Sequence, residues 1–476
     1  MHDFELPTSW SMKKLGEICT KPQYGYTTKA SSVGNIKFIR TTDITSGKLN
    51  WTTVPYCKEN PNDIEKYQVQ KNDILISRAG SIGYSFLVES TPEPAVFASY
   101  LIRFKPNDMI YPRYLKHYLN SPFYWLDLAD KSAGNALQNV NAKKLSEVNI
   151  IIAPYEEQKQ ITTKLDQLLA QVDNIKTHLD VIPNFIEKFK KSVLQYAVTG
   201  QLTEDWRLLH KDTIKNARVL LSKIESKRES ILEAEIQSGN SESKRLKKKL
   251  QKHKFDIPTE EIPSTWVWTS FTQSLLKVVD CHNKTAPYSG SGIYLIRTSD
   301  IKNGKIHLSD TKFINRETYD FWSKRCPPMQ GDIIFTREAP MGEAGIVPDN
   351  TILCMGQRMM LLRCIPELME PKYLLYNILS QSFQVRMQKN AIGTGVKHLR
   401  VGDVESLVYP LAPLEEQKEI IKRVEYYFQF ADKIELQLKS TREKMDLLKQ
   451  SIFNSAFQGN LTKNWREMNT SLSQAL

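Results

Sequence analysis

Cysteine is scarce in this chain. Its 476 residues hold six: Cys19, Cys57, Cys281, Cys326, Cys354 and Cys364. None forms a Cys-x-x-Cys pair, and no second cluster completes a zinc site. Cys281 beside His282 reads as a chance neighbour. Isolated thiols fit a reducing, cytoplasmic setting. Glycine numbers only 20, and no G-x-x-x-x-G-K-[ST] phosphate loop occurs. Gly290-Ser291-Gly292 makes a poor dinucleotide fingerprint. The eight histidines lack metal-ligand spacing, and neither H-E-x-x-H nor G-x-S-x-G is present. Cys326-Pro327-Pro328-Met329 does not match the Asn/Asp-Pro-Pro-aromatic signature of amino methyltransferases. No apolar run approaches about 18 residues, so no membrane span is expected. The opening MHDFELPTSW carries no apolar signal core. These absences exclude the familiar enzyme classes and point to a chain with no metal or cofactor of its own.

Basic charge and a regular apolar stripe are what the chain does have. Lys and Arg total 65 against 53 Asp and Glu, a net charge of +12, which favours an anionic partner such as nucleic acid. From Glu156 to Ala197, apolar residues fall at Ile161, Leu165, Leu168, Val172, Ile175, Leu179, Ile182, Ile186, Phe189 and Val193. Steps alternating four and three define a heptad seam, hence a coiled-coil helix. Glu156 and Glu157 in its first turn suit the helix dipole, Pro183 predicts a kink or local split, and Gly200 marks its end. The seam returns at Ile420, Val424, Tyr427, Ala431, Ile434, Leu438, Thr441, Met445, Leu448 and Ile452, each 259 positions later. An exposed stripe of that length needs a cover, and the obvious partner is the other copy. The span from Ile161 to Val193 is about 48 Å long as a helix.

The rest of the chain repeats too. Leu6-Pro7-Thr8-Ser9-Trp10 is echoed by Ile262-Pro263-Ser264-Thr265-Trp266. Ile39-Arg40-Thr41-Thr42-Asp43-Ile44 with Gly47-Lys48 returns as Ile296-Arg297-Thr298-Ser299-Asp300-Ile301 with Gly304-Lys305. Ala153-Pro154-Tyr155-Glu156-Glu157-Gln158-Lys159 returns as Ala412-Pro413-Leu414-Glu415-Glu416-Gln417-Lys418. Gly200-Gln201-Leu202-Thr203 with Trp206-Arg207 returns as Gly459-Asn460-Leu461-Thr462 with Trp465-Arg466. Strands are expected at Ile36 to Arg40, Asp73 to Ser77, Leu101 to Phe104 and Val148 to Ile152, with a helix from Pro112 to Ala129 broken at Pro122. The organisation read from this duplication is a first mixed domain over 1–155, a coil helix over 156–206, a basic helical linker over 207–258, a second mixed domain over 259–413, and a distal coil helix with its tail over 414–476. The linker carries Lys244, Arg245, Lys247, Lys248, Lys249, Lys252 and Lys254, and is read as helices around a loose centre near Ser238 to Ser241. It is either a solvated connection or a basic arm near DNA or a partner subunit. Frame and seam match between copies while the loops differ, which suggests two related sites with different targets.

The doubled I-R-T-x-D-I with G-K, A-P-x-E-E-Q-K and G-x-L-T-x-x-W-R lie in order over essentially the whole chain. In these features the chain resembles the specificity subunits of type I restriction–modification systems. The resemblance implies an α+β fold: two mixed α/β target-recognition domains, joined by two long helices paired as an antiparallel coiled coil with pseudo-two-fold internal symmetry. It implies a non-catalytic subunit. Each domain reads half of an interrupted, asymmetric site on double-stranded DNA, and the coil sets the gap. Two adenine-N6 methyltransferase subunits are recruited, and restriction subunits join through them. S-adenosylmethionine, ATP and Mg belong to those partners. An end-to-end antiparallel alignment places Ile161 near Ile452 and Val193 near Ile420.

Base readout needs polar side chains at loop tips and cations near phosphates. In the first domain the candidates are Lys21, Tyr24, Tyr26, Lys29, Arg78, Ser81, Ser99, Tyr100, Asn135, Gln138, Asn139 and Lys143. In the second they are Asn283, Lys284, Tyr288, Arg337, Glu338, Gln357, Arg358, Lys397 and His398. Arg78 and Arg337 occupy equivalent places and equally suit framework ion pairs, while Arg40 and Arg297, each ahead of a matched Asp, read as structural. The Trp206-Arg207 and Trp465-Arg466 ends suit either methyltransferase docking or closure of the coil. Two rival readings remain: an adaptor presenting two non-DNA modules on a coil, and an enzyme with an unrecognised site.

Overall fold

The structure, a computed structural model, describes residues 5–132, 140–393 and 397–474, with the side chains of 132 and 470–474 excepted. The chain falls into two compact units, residues 1–181 with 437–476, and residues 182–436.

In the first unit, Leu101–Phe104 forms the middle of an antiparallel sheet with Gln23–Tyr24 on one side and Ile74–Ser77, then Ser85–Leu87, on the other. All four residues of Ile74–Ser77 and of Leu101–Phe104 are buried. Such continuous runs belong to strands covered on both faces. A second sheet orders Ala30–Ser31, Tyr56–Cys57, Lys37–Ile39 and Ala95–Phe97, the last pair parallel. Ser11–Lys14 pairs antiparallel with Asn149–Ile152, tying the opening of the domain to its end. Pro112–Tyr118 and Pro122–Ser132 are separate helices, the break falling before Pro122 as expected.

The second unit repeats this plan. Lys277–Asp280, Met359–Arg363, Ile333–Thr336 and Ala344–Ile346 make the antiparallel sheet. Lys312–Ile314, Ile293–Ile296 and Leu353–Met355 make the second sheet, again with one parallel pair. Val267–Ser270 pairs with Val408–Leu411. All six cysteines of the chain are buried as free thiols, and burial pushes the Cys19 thiol up to about 12.

Two helices of 44 residues, Tyr155–Val198 and Leu414–Phe457, follow the two domains. Each contributes its beginning to one unit and its end to the other. Within the first unit, Arg442 pairs with Asp180 at 2.7 Å and Lys449 with Asp173 at 3.5 Å. Seven steps down one helix are thus seven steps up the other, so the pair is antiparallel. Within the second unit, Lys190 reaches Asp432 at 2.8 Å and Glu435 at 3.2 Å, and the rings of Phe189 and Tyr427 meet at 6.0 Å.

Three expectations about the helices need correction. Every one of these cross-helix contacts lies further along the second helix than the end-to-end alignment places it, by three residues at Phe189–Tyr427 and nine at Asp180–Arg442. The register is set elsewhere, by the buried carboxylates Glu157 and Glu416, which grip the chain beyond the end of the opposite helix. The seam is also incompletely covered. Ile161, Leu165, Val172, Ile186 and Val193 are buried, but Ile175, Phe189 and Leu448 are exposed, because a two-helix pair shields only a narrow stripe. Finally, Pro183 does not split the helix, which runs as one element from Tyr155 to Val198.

The basic linker is likewise not a loose connection. Ala217–Gln237 and Ser241–Lys252 form a helical hairpin whose Leu220, Leu221 and Ile224 enter the second domain's core. Buried Arg228 donates to the carbonyl oxygens of Thr272 at 2.8 Å and Gln273 at 2.6 Å. The loose centre is a tight turn at Ser238-Gly239-Asn240. The Asn240 side chain accepts from the amides of Glu242 and Ser243 and so caps the second helix.

Candidate nucleic-acid interface

The frame of each domain is fastened by one repeated device. In the first unit Glu157 is fully enclosed. It accepts from Trp10 Nε1 at 2.8 Å, Thr462 Oγ1 at 2.7 Å and Arg466 Nε at 3.0 Å. In the second, Glu416 accepts from Trp266 Nε1 at 2.7 Å, Thr203 Oγ1 at 2.7 Å and the guanidinium of Arg207. A buried carboxylate with several charge-assisted and neutral donors is satisfied rather than destabilising. Arg466 also caps the carbonyl of Gly459 at 2.6 Å, and Arg207 that of Gly200 at 2.8 Å. Both glycines hold a left-handed φ, +81° and +77°, and a β-carbon on either would collide with Pro7 or Pro263. Four repeated motifs thus meet at one carboxylate in each unit: the Pro-x-x-Trp opening, Glu-Glu-Gln-Lys, Gly-x-Leu-Thr and Trp-Arg. Of the two roles considered for the Trp-Arg ends, the arginines take up closure of the coil.

Arg40 and Arg297 are framework residues, as expected. Arg40 makes a fork to Asp43 at 3.0 and 2.7 Å, and Arg297 one to Asp300 at 3.1 and 2.8 Å.

The sites diverge at the tips. In the first domain the backbone N–H of Arg78 donates to the carbonyl of Tyr100 at 2.9 Å, and the carbonyl of Arg78 accepts from Val140 at 2.9 Å. The Arg78 guanidinium lies over the ring of Tyr24 at 5.1 Å. The Tyr24 hydroxyl accepts from the backbone N–H of Ala142 at 3.0 Å, which places Lys143, exposed, at the same edge. Ser99 N–H donates to the Tyr26 carbonyl at 2.9 Å, and the Tyr26 ring packs against Tyr67 at 5.4 Å. Tyr100 is 60% exposed. Tyr24, Tyr26, Arg78, Ser99, Tyr100 and Lys143 are therefore brought together. Ser81 is exposed on the neighbouring turn, its carbonyl taken by the Ser77 hydroxyl. Lys21 and Lys29 are exposed on either side of Gln23–Tyr24, with no hydrogen bond or ring contact to Arg78 among the described residues. Asn135, Gln138 and Asn139 lie outside the described residues.

In the second domain the N–H of Arg337 donates to the Arg358 carbonyl at 2.8 Å, and its own carbonyl accepts from Leu399 at 3.1 Å, the same two ties as at Arg78. Its guanidinium does something else: it pairs with Asp280 at 3.1 Å and donates to the Leu399 carbonyl at 3.0 Å. Tyr24 and Asp280 stand at corresponding ladder positions, opposite Ile102 and Met360. One arginine site is thus faced by an aromatic ring in one copy and by a carboxylate in the other. Arg337 is a framework ion-pair residue, whereas no carboxylate partner of Arg78 occurs among the described residues. Around Arg337, Glu338 pairs with Arg358 at 3.4 Å and bridges His398 through the backbone. Arg358 adopts a left-handed φ of +67°. Gln357 donates to the Asn283 carbonyl at 3.0 Å, and Trp322 Nε1 to that of Lys284 at 3.2 Å. Tyr288 is 54% exposed, and Lys397 is exposed beside undescribed residues 394–396. Sequence reasoning overlooked Asp280, although its ladder position follows from aligning Met359–Arg363 with Leu101–Phe104.

Comparison with known proteins decides the family. A model described as the type I restriction modification DNA specificity domain matches residues 7–184 and 276–441. The chain belongs to this family. The two matched stretches correspond to the two halves of the internal repeat. It is 27% identical to the specificity subunit of the type I restriction enzyme EcoKI of Escherichia coli (strain K12), over 98% of this chain and 92% of that one. Its fold is similar to that of the HsdS subunit from Thermoanaerobacter tengcongensis, with a TM-score of 0.56, 17% identity, and coverage of 96% of this chain and 99% of that one. A similar fold, at a TM-score of 0.59 and 16% identity, occurs in a structure described as the basis of complex assembly and conformational transition of the type I R-M system, covering 96% of this chain and 100% of that chain. Specificity subunits are the DNA-recognition component of such complexes and are not themselves catalytic. Among the described residues, no helix is long and apolar enough to cross a membrane.

Proposed function

We propose that each recognition domain reads one half of a bipartite, asymmetric site on double-stranded DNA, and that the antiparallel helices set the unread gap between the halves. The observation that carries this reading is the twice-built arginine site. Arg78 and Arg337 are hung from the same two backbone ties, yet one is stacked on Tyr24 and the other bound to Asp280. A common frame with dissimilar tips is what two readers of different base sequences require. The net charge of +12 suits a polyanionic partner. In this reading the domains are residues 1–155 and 259–413, and the candidate tip residues, from Lys21 to Lys143 and from Asn283 to His398, divide between base edges and phosphates, apart from Arg337, which is held by Asp280.

The long helices are also the docking surface for two adenine-N6 methyltransferase subunits, with restriction subunits joining through these. Ile175, Leu447 and Leu448 in the first unit, and Phe185, Phe430 and Leu436 in the second, are apolar and exposed on the helices, as a docked partner would need. S-adenosylmethionine, ATP and Mg act in those partners. The test is to exchange residues 1–155 for the first domain of another specificity subunit and map methylated adenines in the host genome. One half of the modified sequence changes while the other half and the gap stay fixed. A change in both halves, or in neither, contradicts the reading.

A further inference from the structure

The basic helix Ser241–Lys252 lies outside the internal repeat, and the reading of two half-sites does not use it. Its charges are sorted by face. Lys247 pairs with Glu233 at 2.7 Å and Glu229 at 3.2 Å, and Lys249 with Glu405 at 2.5 Å. These pairs, with Leu246 and Leu250 turned inward, fix the helix against Ala217–Gln237 and the second domain. His253 beyond its end meets the Ser270 hydroxyl at 2.7 Å. Lys244, Lys248 and Lys252 recur at i, i+4 and i+8, so they share the opposite face. All three are exposed and make no ion pair among the described residues; Arg245 beside them is only 3.8 Å from Glu242. A row of lysines on a helix whose other flanks are pinned by ion pairs to carboxylates of neighbouring elements is an anion-binding surface.

Its position argues which anion. Lys248, Lys252 and Lys254 line an open groove whose other wall is Gly402 and Glu405 of the short helix Val401–Glu405 and Ser406 just after it. That helix begins directly after His398-Leu399-Arg400, so the wall of the groove starts within four residues of His398, a candidate reading residue of the second domain. Glu405 in its wall is already neutralised by Lys249. Three lysines on i, i+4 spacing rise about 6 Å per step, close to the roughly 7 Å rise between alternate phosphates of one strand, two steps of about 3.4 Å. We infer that the outer face of Ser241–Lys252 binds the phosphodiester backbone of duplex DNA flanking the half-site read by the second domain. The inference rests on the DNA-reading assignment above and adds to it a sequence-independent grip on one side of the site.

The test uses the full chain assembled with its methyltransferase subunits, and duplexes carrying the mapped site with a short or a long flank beyond the second half-site, about 3 or about 15 base pairs. The wild-type complex binds the long-flank duplex more tightly, and K244Q/K248Q/K252Q abolishes that advantage. Losing three phosphate contacts makes the fall in affinity between 50 and 200 mM salt about 40-fold smaller, since each contact contributes a slope near 0.9. K244R/K248R/K252R keeps both effects, which separates charge from folding. Lengthening the flank beyond the first half-site gives no dependence on these lysines. If the glutamine variant retains the wild-type flank advantage and salt slope, or the arginine variant loses them, the inference falls. If the wild-type complex does not prefer the mapped site to a scrambled one, it is the DNA-reading assignment that falls instead.

Discussion

The two recognition domains are alike where they are fastened and unlike where they point outward. Glu157 and Glu416 receive the same kinds of donor, from Trp10, Thr462 and Arg466 in one unit and from Trp266, Thr203 and Arg207 in the other. Arg78 and Arg337, by contrast, share their backbone ties and nothing of their side-chain surroundings. Fastening tolerates little change because a buried carboxylate must find all its donors at once. A loop tip in solvent has no such demand, so its residues are free to follow the target.

The comparison breaks most severely at the fasteners. Glu157→Ala removes the acceptor of Trp10 and Thr462 and one acceptor of Arg466, and is expected to destabilise the first unit by about 3–5 kcal/mol, with Glu416→Ala doing the same to the second. Chemical denaturation of each variant checks this, and equal losses are predicted. A loss confined to one copy denies that the device is the same in both.

The next effect depends on pH and sharpens a difference between cores. Lys116 stands where the second copy has buried Leu375, and burial pulls its pKa down from 10.5 to about 8. A lowered lysine pKa means that the folded state disfavours the charged form. Below about pH 8 the residue is charged whether folded or unfolded, and the first unit bears the full penalty. As pH rises from about 8 towards 10.5, stability therefore increases, by at most about 3 kcal/mol. Lys116→Leu installs the second copy's residue and should flatten that rise in denaturation curves taken across this range. An unchanged slope contradicts the assignment.

The arginine sites give a smaller and asymmetric result. Arg337→Ala leaves Asp280 unpaired and the Leu399 carbonyl without its donor, an expected loss of about 1–3 kcal/mol of stability. Arg78→Ala abandons no carboxylate. It should change stability by less than about 1 kcal/mol, the worth of an exposed cation–π contact, while weakening methylation that depends on the first half-site. Methylation assays on duplexes altered in one half at a time, alongside thermal melts, separate the two outcomes. The least effect is expected at the helix surface, where Lys190→Ala removes exposed pairs to Asp432 and Glu435 and costs under about 1 kcal/mol by the same melts.

The duplication, the long helices and the buried strands are legible in the sequence because each leaves a periodic or repeated trace. The antiparallel direction of the helix pair is not among them, since a heptad seam serves either direction, and it follows only from the family resemblance. The apolar run predicts the strand Leu101 to Phe104 to the residue, and the break before Pro122 follows from proline geometry. The helix register was not legible. Heptad steps repeat every seven residues and are compatible with several alignments, and the choice among them is made by Glu157 and Glu416, whose partners lie hundreds of residues away in the chain. The hairpin at Ala217–Gln237 and Ser241–Lys252 was obscured by its charge, since only a few apolar residues such as Leu220 and Ile224 anchor it. At the tips, residue type identified Arg78, Tyr24 and Tyr100 as candidates, but the partner that holds Arg337 lay at Asp280, a position visible only once the strands are paired.

The most direct measurement of the central claim is methylation mapping of genomic DNA from cells carrying this chain with its methyltransferase, repeated after one heptad is inserted into each long helix at the level of Asp180 and Arg442. The account predicts one asymmetric two-part sequence, whose halves persist in the lengthened chain while the gap grows by about 3 base pairs, the length of seven helical residues. A gap that stays fixed, or halves that change with it, would contradict the account.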